Sequence, residues 1–216
     1  MKLSLANIPT PLEDWSQWCS KLDVPGKLWV KRDDLTGIET SGNKIRKLEY
    51  LLAEAQRQGA DTVFTCGGIQ SNHARATAAA AVKLGMKPVL FLRGEAGDPP
   101  LGNVLLDRLF GATIVPVVDL EQDHIEAEYE RHRQALEKTG RRVYCIPEGG
   151  SNGVGALGYV EAIEELSAQV DLRSITRIFV AVGSGGTYAG LLAGLRARKV
   201  CTEVVGINVQ PTRALE

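Results

Sequence analysis

The apolar positions of the chain alternate between two rhythms. Ile45, Leu48, Leu51, Leu52 and Ala55 recur at helical spacing, and Gly59 stands where a C-terminal cap belongs. Ser41-Gly42-Asn43 supplies a turn and a choice of N-cap side chains just before them. Beyond this helix, short continuous apolar runs take turns with helical stretches. Residues 62–66, 88–92, 113–118, 142–146, 177–182 and 203–209 read as strands. Helices are expected over 74–84, 101–110, 121–138 and 156–168, and again through Ala189 and Leu195. Residues 28–32 form a further strand candidate and 33–37 a turn, while 1–26 read as an irregular lead-in, extended around Pro9 and Pro11. Pro116 favours an edge or a strand end for 113–118. Apolar strands separated by helices imply parallel sheets covered on both faces, hence an α/β fold.

Composition narrows the function classes. The chain has 216 residues, 44% hydrophobic and 24% charged, with 23 glycines, enough for one large domain or two small ones. The formal net charge is -1, no basic patch stands out, and the aromatic residues are scattered, so nucleic acid is not an expected partner. No apolar run is long enough to cross a bilayer. Pro9 and Pro11 arrive before any signal-peptide core, so a cytoplasmic protein is expected. Cys19, Cys66, Cys145 and Cys201 lie far apart, and with only His73, His124 and His132 there is no metal-ligand spacing. Reduced, mostly buried thiols are expected.

Three loops fall at the carboxyl ends of strands, where open parallel sheets bind ligands: 67–73, 148–155 and 183–187. Gly183-Ser184-Gly185-Gly186-Thr187 joins a buried strand to a helix N-terminus. Its backbone N–H groups, two hydroxyls and the helix dipole suit a phosphate, although a tight turn without ligand has the same look. A dinucleotide would need glycine where Tyr188 stands and an acid where Asn208 ends the next strand, and there is no P-loop lysine. One phosphate therefore suits the loop better than a pyrophosphate. Gln70-Ser71-Asn72 opens a second helix, where it can hold a carboxylate or simply cap. His73 reads as a hydrogen-bonded structural histidine, and Asp33 and Asp34 as turn-formers and partners for Arg32 or Arg46. Lys44 falls in the first turn of its helix, where the dipole disfavours a cation and lowers the pKa. A neutral amine there can attack a carbonyl and form a Schiff base, whereas a lone lysine is ordinarily just solvated. Lys47, one turn on along the same side, can stay charged. A nucleophilic lysine, a single-phosphate cup and a carboxylate pocket together suggest pyridoxal phosphate acting on an amino acid.

Five motifs occur in order: Lys31-Arg-Asp-Asp-Leu35, Ser41-Gly-Asn-Lys-Ile-Arg-Lys-Leu-Glu-Tyr50, Gly68-Ile-Gln-Ser-Asn-His73, Gly149-Gly-Ser-Asn152 and Gly183-Ser-Gly-Gly-Thr187. Together they resemble the D-cysteine desulfhydrase / 1-aminocyclopropane-1-carboxylate deaminase family, tryptophan-synthase-beta-like, fold-type II pyridoxal phosphate enzymes. The resemblance covers essentially the whole chain. It implies two open parallel-sheet domains, with 46–151 as the small domain and 1–45 plus 152–216 as the cofactor domain. It implies pyridoxal 5'-phosphate as cofactor, Lys44 as the Schiff-base lysine, and Lys47 with the 183–187 loop on the phosphate. Asn72 would bond the pyridine 3-hydroxyl, and Ser71, with Gln70 and nearby amides, the substrate carboxylate. The implied reaction is beta-elimination of sulfide from D-cysteine to pyruvate and ammonia. Deamination of the cyclopropane amino acid and desulfonation of L-cysteate are alternatives, as is an inactive cofactor-binding or interaction fragment. A small amino-acid substrate and a homodimer at full length are implied. Members of the family are longer, so the C-terminal part carrying the active-site tyrosine region and the residue facing the pyridine nitrogen is expected to be absent here.

Overall fold

In the computed structural model, residues 1–37, 39 and 42–209 are described. Ser41 of the predicted turn lies outside the described residues. The central helix forms where the apolar spacing puts it, as α2, Lys44–Arg57. It ends at Gln58, and Gly59 turns the chain away with φ +71°, a left-handed conformation that suits glycine. Ile45, Leu48, Leu51, Leu52 and Ala55 are fully buried. They pack with Val63 of β3 (Thr62–Gly68), Ala76 and Ala80 of α3 (Asn72–Lys83), and Ile146. Each large aliphatic side chain so buried contributes about 1.5–3 kcal/mol.

Strand β3 is the middle of a four-stranded parallel sheet, in the order β5-β4-β3-β6. It pairs with β4 (Lys87–Arg93) and β6 (Val143–Cys145), and β4 pairs in turn with β5 (Thr113–Val117). Pro116 lies in β5, at the sheet's edge, as its sequence position predicts. α4 (Asn103–Leu109) and α5 (Gln122–Glu137) complete this layer. A second, two-stranded parallel sheet pairs β7 (Arg177–Val182) with β8 (Glu203–Asn208). Against it pack α6 (Gly153–Gln169) and α7 (Gly186–Ala197), burying Tyr159, Ile163, Leu191 and Leu195.

Three expectations are corrected. Residues 1–26 are not wholly irregular: β1 (Leu12–Asp14) pairs antiparallel with β2 (Trp29–Lys31), and α1 spans Ser16–Lys21. These pieces are too short to carry a periodic signal, and contacts from elsewhere fix them. The buried Glu49 carboxylate, for example, accepts the N–H groups of Leu5 and Ala6 at 2.8 and 2.9 Å. Second, β3 and β4 are covered on both faces, but β7 and β8 are not: Phe179 is 64% and Ile207 51% exposed. Third, of the four free cysteines only Cys66 is buried, and Cys201 is exposed. Among the described residues no helix is long and apolar enough to cross a membrane.

Helices α2 and α6 cross at close range through Gly158. A Cβ there would stand 2.2 Å from the Arg46 carbonyl oxygen. The Arg46 side chain, 2% exposed, bonds Asp33 and Glu165, and Tyr159 donates to Asp33 at 2.7 Å. Asp34 pairs with Arg32. The two aspartates are thus ion-pair partners, as their turn position suggests. Burial raises the Glu165 pKa, but the hydrogen bonds and charges of Arg46 and Lys31 outweigh it and bring the carboxyl down to about 2. This network locks the amino-terminal segment and α6 onto the helix that begins with Lys44.

Candidate active site

The N-termini of α2, α3 and α7 meet at one cleft of about 560 Å³, lined on this side by Lys44, Lys47, Ser71, Asn72 and the 183–187 loop. Lys44 opens α2 behind Asn43. The Asn43 side chain does not cap the helix. Its Oδ1 instead accepts from Lys44 Nζ at 3.2 Å, and its Nδ2 donates to Thr187 Oγ1 at 3.0 Å, tying the lysine to the start of α7. Burial lowers the Lys44 pKa, opposed by the nearby charge of Glu148. The direction agrees with the sequence argument, but the main cause is loss of water rather than the helix dipole.

Lys47, one turn along, is 1% exposed. Its ammonium donates only to Gly149 O at 3.1 Å and Ser151 Oγ at 3.3 Å, and no carboxylate among the described residues pairs with it. Burial, helped by the Lys44 charge, lowers its pKa to about 7. Lys47, which the sequence left able to stay charged, is thus held well below the ordinary lysine range. The N-terminus of α7 lies beside it. Gly185 takes φ +83° as the N-cap of α7, and a Cβ on Gly186 would lie 2.6 Å from Ser151 Oγ and 2.9 Å from Lys47 Nζ. Only glycine at 186 leaves the helix N-terminus open to the lysine.

Ser151 joins the parts, and it was missed as a site residue. Its hydroxyl meets Ser184 Oγ at 2.7 Å and accepts from Gly186 N at 3.2 Å, so one side chain braces loops 148–155 and 183–187 and Lys47 together. Its only signal in sequence is its place in a glycine-rich loop at a strand end. Gly183, Ser184, Gly185 and Thr187 line the cleft, with Gly186 just behind.

On the α3 side, Ser71 is the N-cap, accepting from Ala74 N at 3.1 Å, while also lining the cleft. Asn72 faces the cleft next to it. Gln70 is not among the cleft-lining residues. Its Nε2 donates to Leu101 O at 3.0 Å and its Oε1 accepts from Asn103 N at 2.8 Å, so the whole amide serves the start of α4. That placement argues against the substrate role expected for it. His73 is buried, bonded through Nε2 to Thr65 Oγ1 at 2.8 Å. Burial and the two lysine charges lower its pKa to about 3, so it is a neutral structural residue. The described residues contain no group of three or more His, Cys, Asp or Glu able to hold a metal ion.

The chain is similar to known proteins over nearly all its length. Residues 3–216 match the family described as pyridoxal-phosphate dependent enzyme. A Thermotoga maritima protein provisionally named 1-aminocyclopropane-1-carboxylate deaminase is 51% identical over 97% of this chain and 66% of its own length. A D-cysteine desulfhydrase of Salmonella paratyphi A is 42% identical over 96% of this chain and 64% of its own. The bifunctional D-cysteine desulfhydrase/1-aminocyclopropane-1-carboxylate deaminase of Arabidopsis thaliana is 46% identical over 88% of this chain and 50% of its own. The crystal structure of an ACC deaminase homologue superposes with a TM-score of 0.89 at 39% identity, covering 96% of this chain and 62% of that one. A fungal L-serine ammonia-lyase from Rhizomucor miehei shares the fold, with a TM-score of 0.73 at 19% identity. The chain spans about half to two thirds of the length of these relatives. With two lysines and the glycine-rich 183–187 loop on one cleft, and with a family match over nearly all its residues, the chain belongs to the pyridoxal-phosphate dependent enzymes of fold type II.

Proposed function

We propose that Lys44 is the amine that holds pyridoxal 5'-phosphate, and that the complete protein is a lyase for small amino acids, with D-cysteine as substrate. The observation that carries this is Lys47, a buried amine with no carboxylate partner among the described residues, set against the open N-terminus of α7. The residues fit the group. One phosphate beside Gly183–Thr187 would take bonds from backbone N–H groups, Ser184, Thr187 and Lys47, and would restore the Lys47 charge. Asn72 lines the cleft with an amide suited to the 3-oxygen of the ring. Ser71 and the first N–H groups of α3 suit the substrate carboxylate, without Gln70.

When bound, the cofactor supplies an electron sink for the pair left at the substrate alpha carbon. Burial lowers the Lys44 pKa, which favours the neutral amine that can accept the alpha proton. Loss of sulfide from the beta carbon then leaves an enamine, which water converts to pyruvate and ammonia. The same base and carboxylate site serve the deamination of the cyclopropane amino acid, and relatives named for each activity match at similar identity. The proposed division is residues 46–151 as one domain and the flanking segments as the other, the two parallel sheets supporting it.

The test is the visible spectrum of the purified chain with pyridoxal phosphate, followed by borohydride reduction and peptide mass mapping. A reduced adduct at Lys44 supports the reading, and its absence from Lys44→Ala is the control. An adduct spread over surface lysines would overturn it. Pyruvate from D-cysteine or 2-oxobutyrate from the cyclopropane amino acid, measured on the full-length protein, then separates the two substrates.

A further inference from the structure

We infer that Asn103, at the start of α4, is a positioning residue that fixes which end of the Asn72 amide faces the cleft. This rests on the reading of the cleft as the cofactor site. Gln70 O can only accept, and the side-chain atom of Asn103 that meets it at 2.8 Å must be the donor, Nδ2. The same Nδ2 meets the Asn72 side chain at 2.9 Å, so the atom it touches there must be the acceptor, Oδ1. The orientation of Asn72 is therefore dictated by a main-chain group two residues away, relayed through one side chain. What remains for the cleft is Asn72 Nδ2, a donor.

The consequence is chemical. A pyridine 3-oxygen is electron-rich and ionises, so it is held by a donor and repelled by an amide oxygen. A free asparagine presents either end at little cost, whereas one held by Asn103 presents the donor before the ligand arrives. Asn103 is itself held. Its backbone N–H donates to Gln70 Oε1 at 2.8 Å, and Gly102 takes φ +65° with no room for a Cβ, which would lie 2.4 Å from that Oε1. The Gln70 side chain thus belongs to the same device, seating Asn103 rather than touching substrate. Nothing in the sequence joins Asn72 to a residue 31 positions later.

The test is a double-mutant cycle on this 216-residue chain, titrated with pyridoxal phosphate, with melting of the cofactor-free protein in parallel. Asn103→Ala is expected to weaken binding about three- to tenfold, the worth of one oriented hydrogen bond. It should also shift intensity from the visible to the near-ultraviolet band of the bound cofactor. Asn103→Asp, which puts an acceptor opposite Asn72, should be worse than Asn103→Ala in both respects. In an Asn72→Ala background both substitutions should change affinity less than twofold. Equal losses with and without Asn72, or a lowered melting temperature with affinity and bands unchanged, would overturn the inference and leave Asn103 as a plain anchor of α4. Failure of the parent chain to take up cofactor at all would overturn the reading of the cleft, and this inference with it.

Discussion

Lys47→Met removes a buried charge and nearly preserves volume, so its effects on stability and on anion binding should have opposite signs. The Lys47 pKa lies at about 7 against an ordinary 10.5, with burial the main cause and the Lys44 charge second. At pH 7 this places a penalty of about 4 kcal/mol on the cofactor-free chain, at about 1.4 kcal/mol per tenfold in proton affinity. Methionine removes that penalty but forfeits two hydrogen bonds, to Gly149 O and Ser151 Oγ, worth about 1 kcal/mol each. The variant should therefore be about 2 kcal/mol more stable at pH 7, or about 4–8 °C in melting temperature for a chain of this size. The pH dependence follows from the lowered pKa. Between pH 7 and 10.5 the native state binds fewer protons than the unfolded chain, so the parent gains stability as pH rises through that window. Below pH 7 the penalty is complete. Lys47→Met should flatten the rise to the share contributed by Lys44, whose pKa is lowered in the same direction. The same variant should bind inorganic phosphate or the cofactor about 10–100-fold more weakly, from the loss of one charge-assisted hydrogen bond. Melts from pH 6 to 10, with and without phosphate, measure both effects. A variant that melts below the parent at pH 7 without anion, or that phosphate protects as well as it protects the parent, would refute the reasoning.

Two further predictions concern the scaffold. Asp107 of α4 is 1% exposed and neither carboxylate oxygen has a hydrogen-bond partner among the described residues. Burial raises its pKa to about 7 despite Arg75, so the native state holds a proton that the unfolded chain releases, and its contribution to stability falls as pH rises from 3.8 to 7. Asp107→Asn should raise the melting temperature at pH 8 and leave it unchanged below pH 4. A variant destabilised equally at both pH values would count against this. Gly158→Ala would press a methyl group against the Arg46 carbonyl in the α2–α6 crossing, and a loss of about 3 kcal/mol or more is expected in urea unfolding. A loss under 1 kcal/mol would mean the helices part easily.

Most of the element order was legible in sequence because it rests on local periodicity. The apolar spacing of 45–55 could make only one buried helix face, and the runs at 62–66 and 88–92 only buried strands. Lys44 at a helix start and glycines at strand ends were equally visible, since helix and strand ends need particular residues for local reasons. Tertiary structure decided everything that depended on a distant partner. It drew a strand paired with 29–31 out of an irregular lead-in, and it left one face of β7 and β8 exposed. It buried Lys47 without a counter-ion, which no charge count along the chain can reveal, because burial depends on what Gly149, Ser151 and Gly186 bring to it. It made Ser151 a brace between two loops 33 residues apart, and it moved the Gln70 amide from the cleft to α4. Propensity and periodicity act over a few residues and can be read from sequence, whereas burial and hydrogen-bond pairing arise only when segments far apart in the chain meet.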